Sequence, residues 1–125
     1  MLVKPGGCIV MTTPNGAYLM NDLPRFSECP NPEIFEATQF KPNSDGHIFL
    51  LWPDEVRSVG EKAGLKVDTI SVFTTPLSNG HMKLRKVLPW LPKCMVRLFD
   101  VFAGWLPYRY SIKFHTHLAA RYTRF

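Results

Sequence analysis

The apolar positions of this chain change their period several times, and each change marks a new element. Residues 7–13, Gly-Cys-Ile-Val-Met-Thr-Thr, form an almost unbroken apolar and β-branched run between Gly6-Gly7 and Pro14-Asn15-Gly16. A short continuous run between turn formers, without alternation, predicts a central strand buried on both faces, as in a parallel sheet covered by helices. From 16 to 46 no period is sustained, and Asn, Pro, Asp and Gly recur. This predicts a long irregular loop with short helical turns, of a length that is usually functional or mobile.

Residues 53–63 predict a helix. Pro53 suits the first helical position, Asp54 and Glu55 complement the positive end of the helix dipole, and Val56, Val59 and Ala63 share a face. Gly64 is placed for a left-handed cap. Residues 65–75 are rich in β-branched side chains and predict a strand, broken from Pro76 to Gly80. In 93–103, Met95, Leu98, Phe99 and Phe102 follow helical spacing, with Lys93, Arg97, Asp100 and Gly104 as a narrow polar stripe. Pro89 and Pro92 end or kink any earlier helix. Ser111 to Leu118 alternates, with Ile112, Phe114, Thr116 and Leu118 on one side, and predicts a strand with one apolar face. The order of strand, loop, helix, strand, helix, strand describes one α/β domain over residues 1–125, with no internal repeat.

Composition narrows this picture. A chain of 125 residues with 46% hydrophobic content can bury a modest core. Cys8, Cys29 and Cys94 are odd in number and unpaired in spacing, so neither a disulfide framework nor a zinc site is legible. Cys8 and Cys94 read as small buried hydrophobes, which fits a reducing compartment. No apolar segment near Met1 resembles a signal peptide, and the apolar stretch 94–107 is too short to span a bilayer. These features point to a cytoplasmic protein. Charge is uneven: residues 1–80 carry six basic and nine acidic side chains, whereas 81–125 carry nine basic ones and only Asp100. The basic third is either a solvated face or a surface that meets an acidic partner.

The segment Leu2-Val3-Lys4-Pro5-Gly6-Gly7-Cys8-Ile9-Val10-Met11-Thr12-Thr13-Pro14-Asn15 resembles the LKPGG turn and fifth strand of class I S-adenosylmethionine-dependent methyltransferases, with Val3 as an insertion. Gly46-His47-Ile48-Phe49, Trp52-Pro53-Asp54-Glu55-Val56 and Glu61-Lys62-Ala63-Gly64-Leu65-Lys66-Val67 resemble the family's approach to a helix and its exit into the sixth strand. Trp52 stands where Ser or Thr is usual. The tail ending Leu118-Ala119-Ala120-Arg121 resembles the family's last, antiparallel strand. The order and spacing of these segments, over residues 2 to about 122, carry the resemblance. It implies a partial Rossmann-like sheet made of the C-terminal strands and their helices.

The cofactor-binding half is absent from this reading. Close approach of backbone to the cofactor at a helix N-terminus needs a Gly-rich turn. The glycines stand at 6, 7, 16, 46, 60, 64, 80 and 104, with no GxGxG. The length also fits a fragment better than a complete enzyme. The expectation is a chain that carries the acceptor-side half of the site, does not bind S-adenosylmethionine tightly, and is inactive alone. The alternatives are a non-catalytic module that completes its sheet against a partner chain, and a peripheral membrane protein acting through the basic third.

Candidate site residues follow from strand ends and from the resemblance. Thr13, Pro14 and Asn15 lie where a parallel strand presents its carboxyl edge to ligands, or else form a turn. The resemblance implies that His47 faces the cleft as a substrate contact or proton acceptor. Tyr18 and Trp52 either line an acceptor pocket or belong to the core. His115 and His117 share one strand face; without further ligands they read as the polar face of an outer strand and not as a metal site. Residues 81–110 form a basic, aromatic-rich helical insertion before the last strand. It either caps a pocket for a small-molecule or lipid-like acceptor or lies at a membrane interface, and nucleic acid is a weaker partner.

Overall fold

The computed structural model describes residues 3–42, 46–79 and 86–125. Leu2 of the opening turn, Asp45 before His47, and the stretch 80–85 with Lys83 and Arg85 of the basic insertion lie outside the described residues.

Three strands form the sheet: β1 (Cys8–Pro14), β2 (Leu65–Phe73) and β3 (His117–Arg124). Their spatial order is β1-β3-β2, and β3 is antiparallel to both neighbours. β1 and β2 therefore run in the same direction, one strand apart. The connection between them crosses through two 3-10 turns (Phe26–Glu28 and Pro32–Phe35), the short helix α1 (Glu36–Gln39) and the ten-residue helix α2 (Pro53–Lys62). After β2 come a 3-10 turn at Leu88–Trp90, α3 (Lys93–Trp105), α4 (Tyr108–Phe114), and finally β3.

The register explains the core. Ile9, Tyr122 and Val67 form one row across the sheet; Met11, Ala120 and Ile70 form the next; Thr13, Leu118 and Val72 form the third. These side chains face α2, where Val56 is fully buried against Leu65, Leu118, Ala120 and Tyr122. A bulge between Val67 and Thr69 keeps Ile70 and Val72 on that face after Asp68 interrupts the alternation. Gly60 lets α2 approach, because a Cβ there would lie 2.2 Å from the Tyr122 ring. The Tyr122 hydroxyl donates to the Val56 carbonyl at 2.9 Å.

Several sequence expectations are corrected. β1 is an edge strand antiparallel to its neighbour, not a central strand buried on both faces: Cys8, Val10 and Thr12 are exposed on the side away from α2. One covering helix can shield only one face, and an apolar run does not say how many faces are shielded. Cys8 and Cys94 are exposed, and the buried cysteine is Cys29. The strand expected over 111–118 is instead the end of α4 followed by the start of β3, and β3 occupies the centre of the sheet. Pro107 precedes the first turn of α4, where its missing N–H costs nothing. The last carbonyls of α4 are met by a distant side chain, Asn15, which no local pattern reveals. α3 spans the expected residues, but Met95, Leu98 and Phe102 of its anticipated core face point to solvent.

Candidate functional site

Because β1 and β2 run together and β3 runs against them, the ends of β1 and β2 and the start of β3 meet at one edge of the sheet. The backbone is stitched there: Asn15 N–H donates to the Thr116 carbonyl and Thr116 N–H to the Thr74 carbonyl, each at 2.8 Å. Beside this seam lies a cleft of about 350 Å³ lined by Thr74, Thr75, Ser78, Asp100 and His115.

Thr74 is the most constrained of these residues. It has φ +55°, a left-handed conformation that is costly for a β-branched side chain. Its hydroxyl donates to the Phe73 carbonyl at 2.7 Å and sits 3.0 Å from the Thr116 hydroxyl and 2.9 Å from His117 Nδ1. These contacts hold a conformation that the isolated residue would avoid. The bend turns the chain out of β2 and brings Thr75 and Ser78 into a compact turn. Thr75 N–H donates to Ser78 Oγ at 2.9 Å, and Asn79 N–H to the Thr75 carbonyl at 2.9 Å. The buried Thr75 hydroxyl donates to the Asp100 carboxylate, which fastens the inner side of α3 to the end of β2.

His115 closes the cleft from the other side. Its Nδ1 lies 2.7 Å from the Ser111 carbonyl, which can only accept, so Nδ1 carries the proton. In the neutral ring this tautomer leaves the lone pair on Nε2, which can accept a hydrogen bond or a proton. With the Asp100 carboxyl group and the hydroxyls of Thr74, Thr75 and Ser78, the cleft offers an imidazole, a carboxyl group and several hydroxyl donors. Such a set can orient a hydroxyl or amine and receive its proton. His117, one pair of residues along β3, is held below its ordinary pKa by burial. Among the described residues no group of three or more His, Cys, Asp or Glu is placed to hold a metal ion.

The sequence candidates separate in space. Thr13 and Pro14 lie on the last pairs of β1, opposite Leu118 and His117. Asn15 is fully buried, and its amide donates to the carbonyls of Ile112 (2.6 Å) and His115 (2.8 Å) while its oxygen accepts from Ala17 N–H at 3.0 Å. It therefore fixes the position of His115 through the backbone. Tyr18 is buried, with its phenol pushed up in pKa by that burial. Trp52 lies over Gly16, where a Cβ would come within 2.5 Å of the indole, and Arg25 stacks on its ring at 4.5 Å. His47 is half-buried in the approach to α2. None of Tyr18, His47 and Trp52 borders the cleft.

A second polar cluster is architectural. Arg25 bridges to Asp54 and lies 3.6 Å from Glu55. Glu55 accepts from Ser27 N–H at 2.8 Å and from Trp52 N–H at 2.9 Å, the latter being the half of a capping box in which the third helical residue reaches back to the residue before the helix. Burial pushes the Glu55 carboxyl up, but the hydrogen bonds from Ser27 and Trp52 and the Arg25 charge outweigh it and hold the group below the ordinary carboxylate range.

Sequence reasoning missed Thr74, Thr75, Ser78 and Asp100 as a group. One signal was present: both like-directed strands leave the sheet through Thr-Thr-Pro, at 12–14 and at 74–76. No protein-family model, curated protein or solved structure matches the chain.

Proposed function

We propose that this chain is the acceptor-side half of a class I S-adenosylmethionine-dependent methyltransferase sheet, inactive by itself, with the cleft at Thr74, Thr75, Ser78, Asp100 and His115 facing the methyl acceptor. One observation carries the reading: two like-directed strands joined by a helical crossover, with the last strand antiparallel to both. These are the directions that the resemblance of the three sequence segments implies. β1 no longer supports it as an interior strand. Its outer edge has no hydrogen-bonded neighbour among the described residues, and that is where further strands would add.

The residues of this chain do not fit the cofactor. Gly16, the glycine that follows β1 at the carboxyl edge, lies beneath the Trp52 indole instead of opening a cradle. Gly6, Gly46 and Gly64 adopt positive φ in turns but form no Gly-x-Gly-x-Gly run before a helix. The cofactor must then be held by strands added across β1, in the same polypeptide or in a partner chain.

The role left to this half is to orient the acceptor at the cleft, exclude water and hold the proton acceptor, His115, in its Nδ1–H tautomer. Sequencing the DNA immediately upstream tests the proposal. The expected find is a segment encoding strands with a Gly-x-Gly-x-Gly turn, whose product, joined to this chain or mixed with it, binds S-adenosylmethionine one to one by calorimetry. Tight binding by the present chain alone, or no binding by the completed protein, overturns the reading.

A further inference from the structure

α3 is amphipathic, but its two sides are used in an unexpected way. Val96, Phe99, Asp100 and Ala103 turn toward the body of the protein, with Ala103 buried and Asp100 bound to Thr75. Met95, Leu98, Val101, Phe102 and Trp105 lie on the opposite side and are exposed, Leu98 by 70%, Phe102 by 58% and Trp105 by 84%. Their spacing of three and four residues makes them one stripe along the helix. Trp90 before the helix and Tyr108 and Tyr110 after it are also exposed. A contiguous apolar surface of this kind marks a contact site.

Charge decides what covers it. Between residues 86 and 113 the basic side chains Lys86, Lys93, Arg97, Arg109 and Lys113 are all exposed, and the acidic one, Asp100, faces inward. A second copy would bring a surface of the same positive charge against this one, and like charges set face to face oppose association. An anionic surface has no such conflict. Tryptophan at both ends of an apolar stripe, tyrosine after it, and lysine and arginine beside it suit the headgroup region of a bilayer. No described helix is long and apolar enough to cross a membrane, so the helix would lie in the interface plane. We propose that the outward face of α3, with Trp90 and Trp105 at its ends, docks on an anionic lipid bilayer.

The test is flotation of the purified chain with phosphatidylcholine vesicles, with and without phosphatidylglycerol. The expected result is roughly tenfold or greater enrichment on the anionic vesicles, reduced by high salt, with a blue shift of tryptophan fluorescence. Leu98→Glu with Phe102→Glu should abolish flotation. Lys93→Glu with Arg97→Glu, which leaves every apolar side chain in place, should lower it by roughly tenfold or more. All four side chains are exposed, so the fold should survive, as circular dichroism would show. No flotation on either vesicle, equal flotation on both, or a dimer broken by Leu98→Glu would overturn the proposal. The last outcome would assign the face to a second copy. None of these results bears on cofactor binding, so the proposal stands or falls separately from the methyltransferase reading.

Discussion

α2 and α3 are both amphipathic, and both belong to a connection between strands, yet they use their apolar faces in opposite ways. α2 lies in the crossover between two like-directed strands, so its stripe lands on the sheet and Val56 disappears into the core. α3 lies between Pro92 and Pro107, is tied to the body by the Thr75–Asp100 bond and by α4, and turns its larger apolar stripe outward. Hydrophobic periodicity therefore locates an apolar face without saying what covers it. The connection decides that, by setting which neighbour lies opposite.

The largest expected effect breaks the comparison at its two ends. Leu118→Ala should cost about 3 kcal/mol, because a fully buried side chain leaves a cavity under α2. Leu98→Ala should fall within about 0.5 kcal/mol of the parent in the same urea titration. Equal losses would mean that α3 is packed in solution. Next, Gly60→Ala should destabilise by about 2 kcal/mol, since the new methyl group meets the Tyr122 ring. A comparable size is expected for Asn15→Ala, which strands the buried His115 carbonyl and the part-buried Ile112 carbonyl, at about 2 kcal/mol. It should also speed amide exchange in α4 more than in α2.

The smallest effects are in pH. Glu55 is held below its unfolded pKa, so its contribution is fully present above the ordinary carboxylate range and is lost as pH falls through the lower folded value. His117 is also depressed, and its contribution is complete above the ordinary imidazole range and declines as pH falls below it. Stability should therefore drop in two stages on acidification. His117→Gln should flatten the upper stage and Glu55→Gln the lower one, as measured by thermal melts across pH. A profile unchanged by either substitution would refute these assignments.

The elements that local chemistry dictates were legible. Pro53, Asp54, Glu55 and Gly64 bracket α2 within a residue, and β1 and β2 begin and end close to where turn formers predict. What escaped depends on contacts across the chain. Ile112 and Phe114 alternate like strand residues, but they sit in a helix whose carbonyls are met by Asn15, far away in sequence. The cleft draws Thr74, Thr75 and Ser78 from the exit of β2, Asp100 from α3 and His115 from the entry to β3. No spacing rule connects them, and only the left-handed bend at Thr74 gathers them. His47 belongs to the approach to α2 and does not reach that gathering.

The position of β3 sets the order in which this molecule can be made. It is the last element in sequence and the only hydrogen-bonded neighbour of both other strands among the described residues. During synthesis, β1 and β2 both leave the ribosome before residues 117–124, the segment that joins them, follow. The sheet then forms in one late event, by closure of long loops rather than by growth from a hairpin. In that interval Ile9, Met11 and Val72, which the finished sheet packs against its core, are exposed together, which is the stage at which a nascent chain is most open to chaperones and to aggregation.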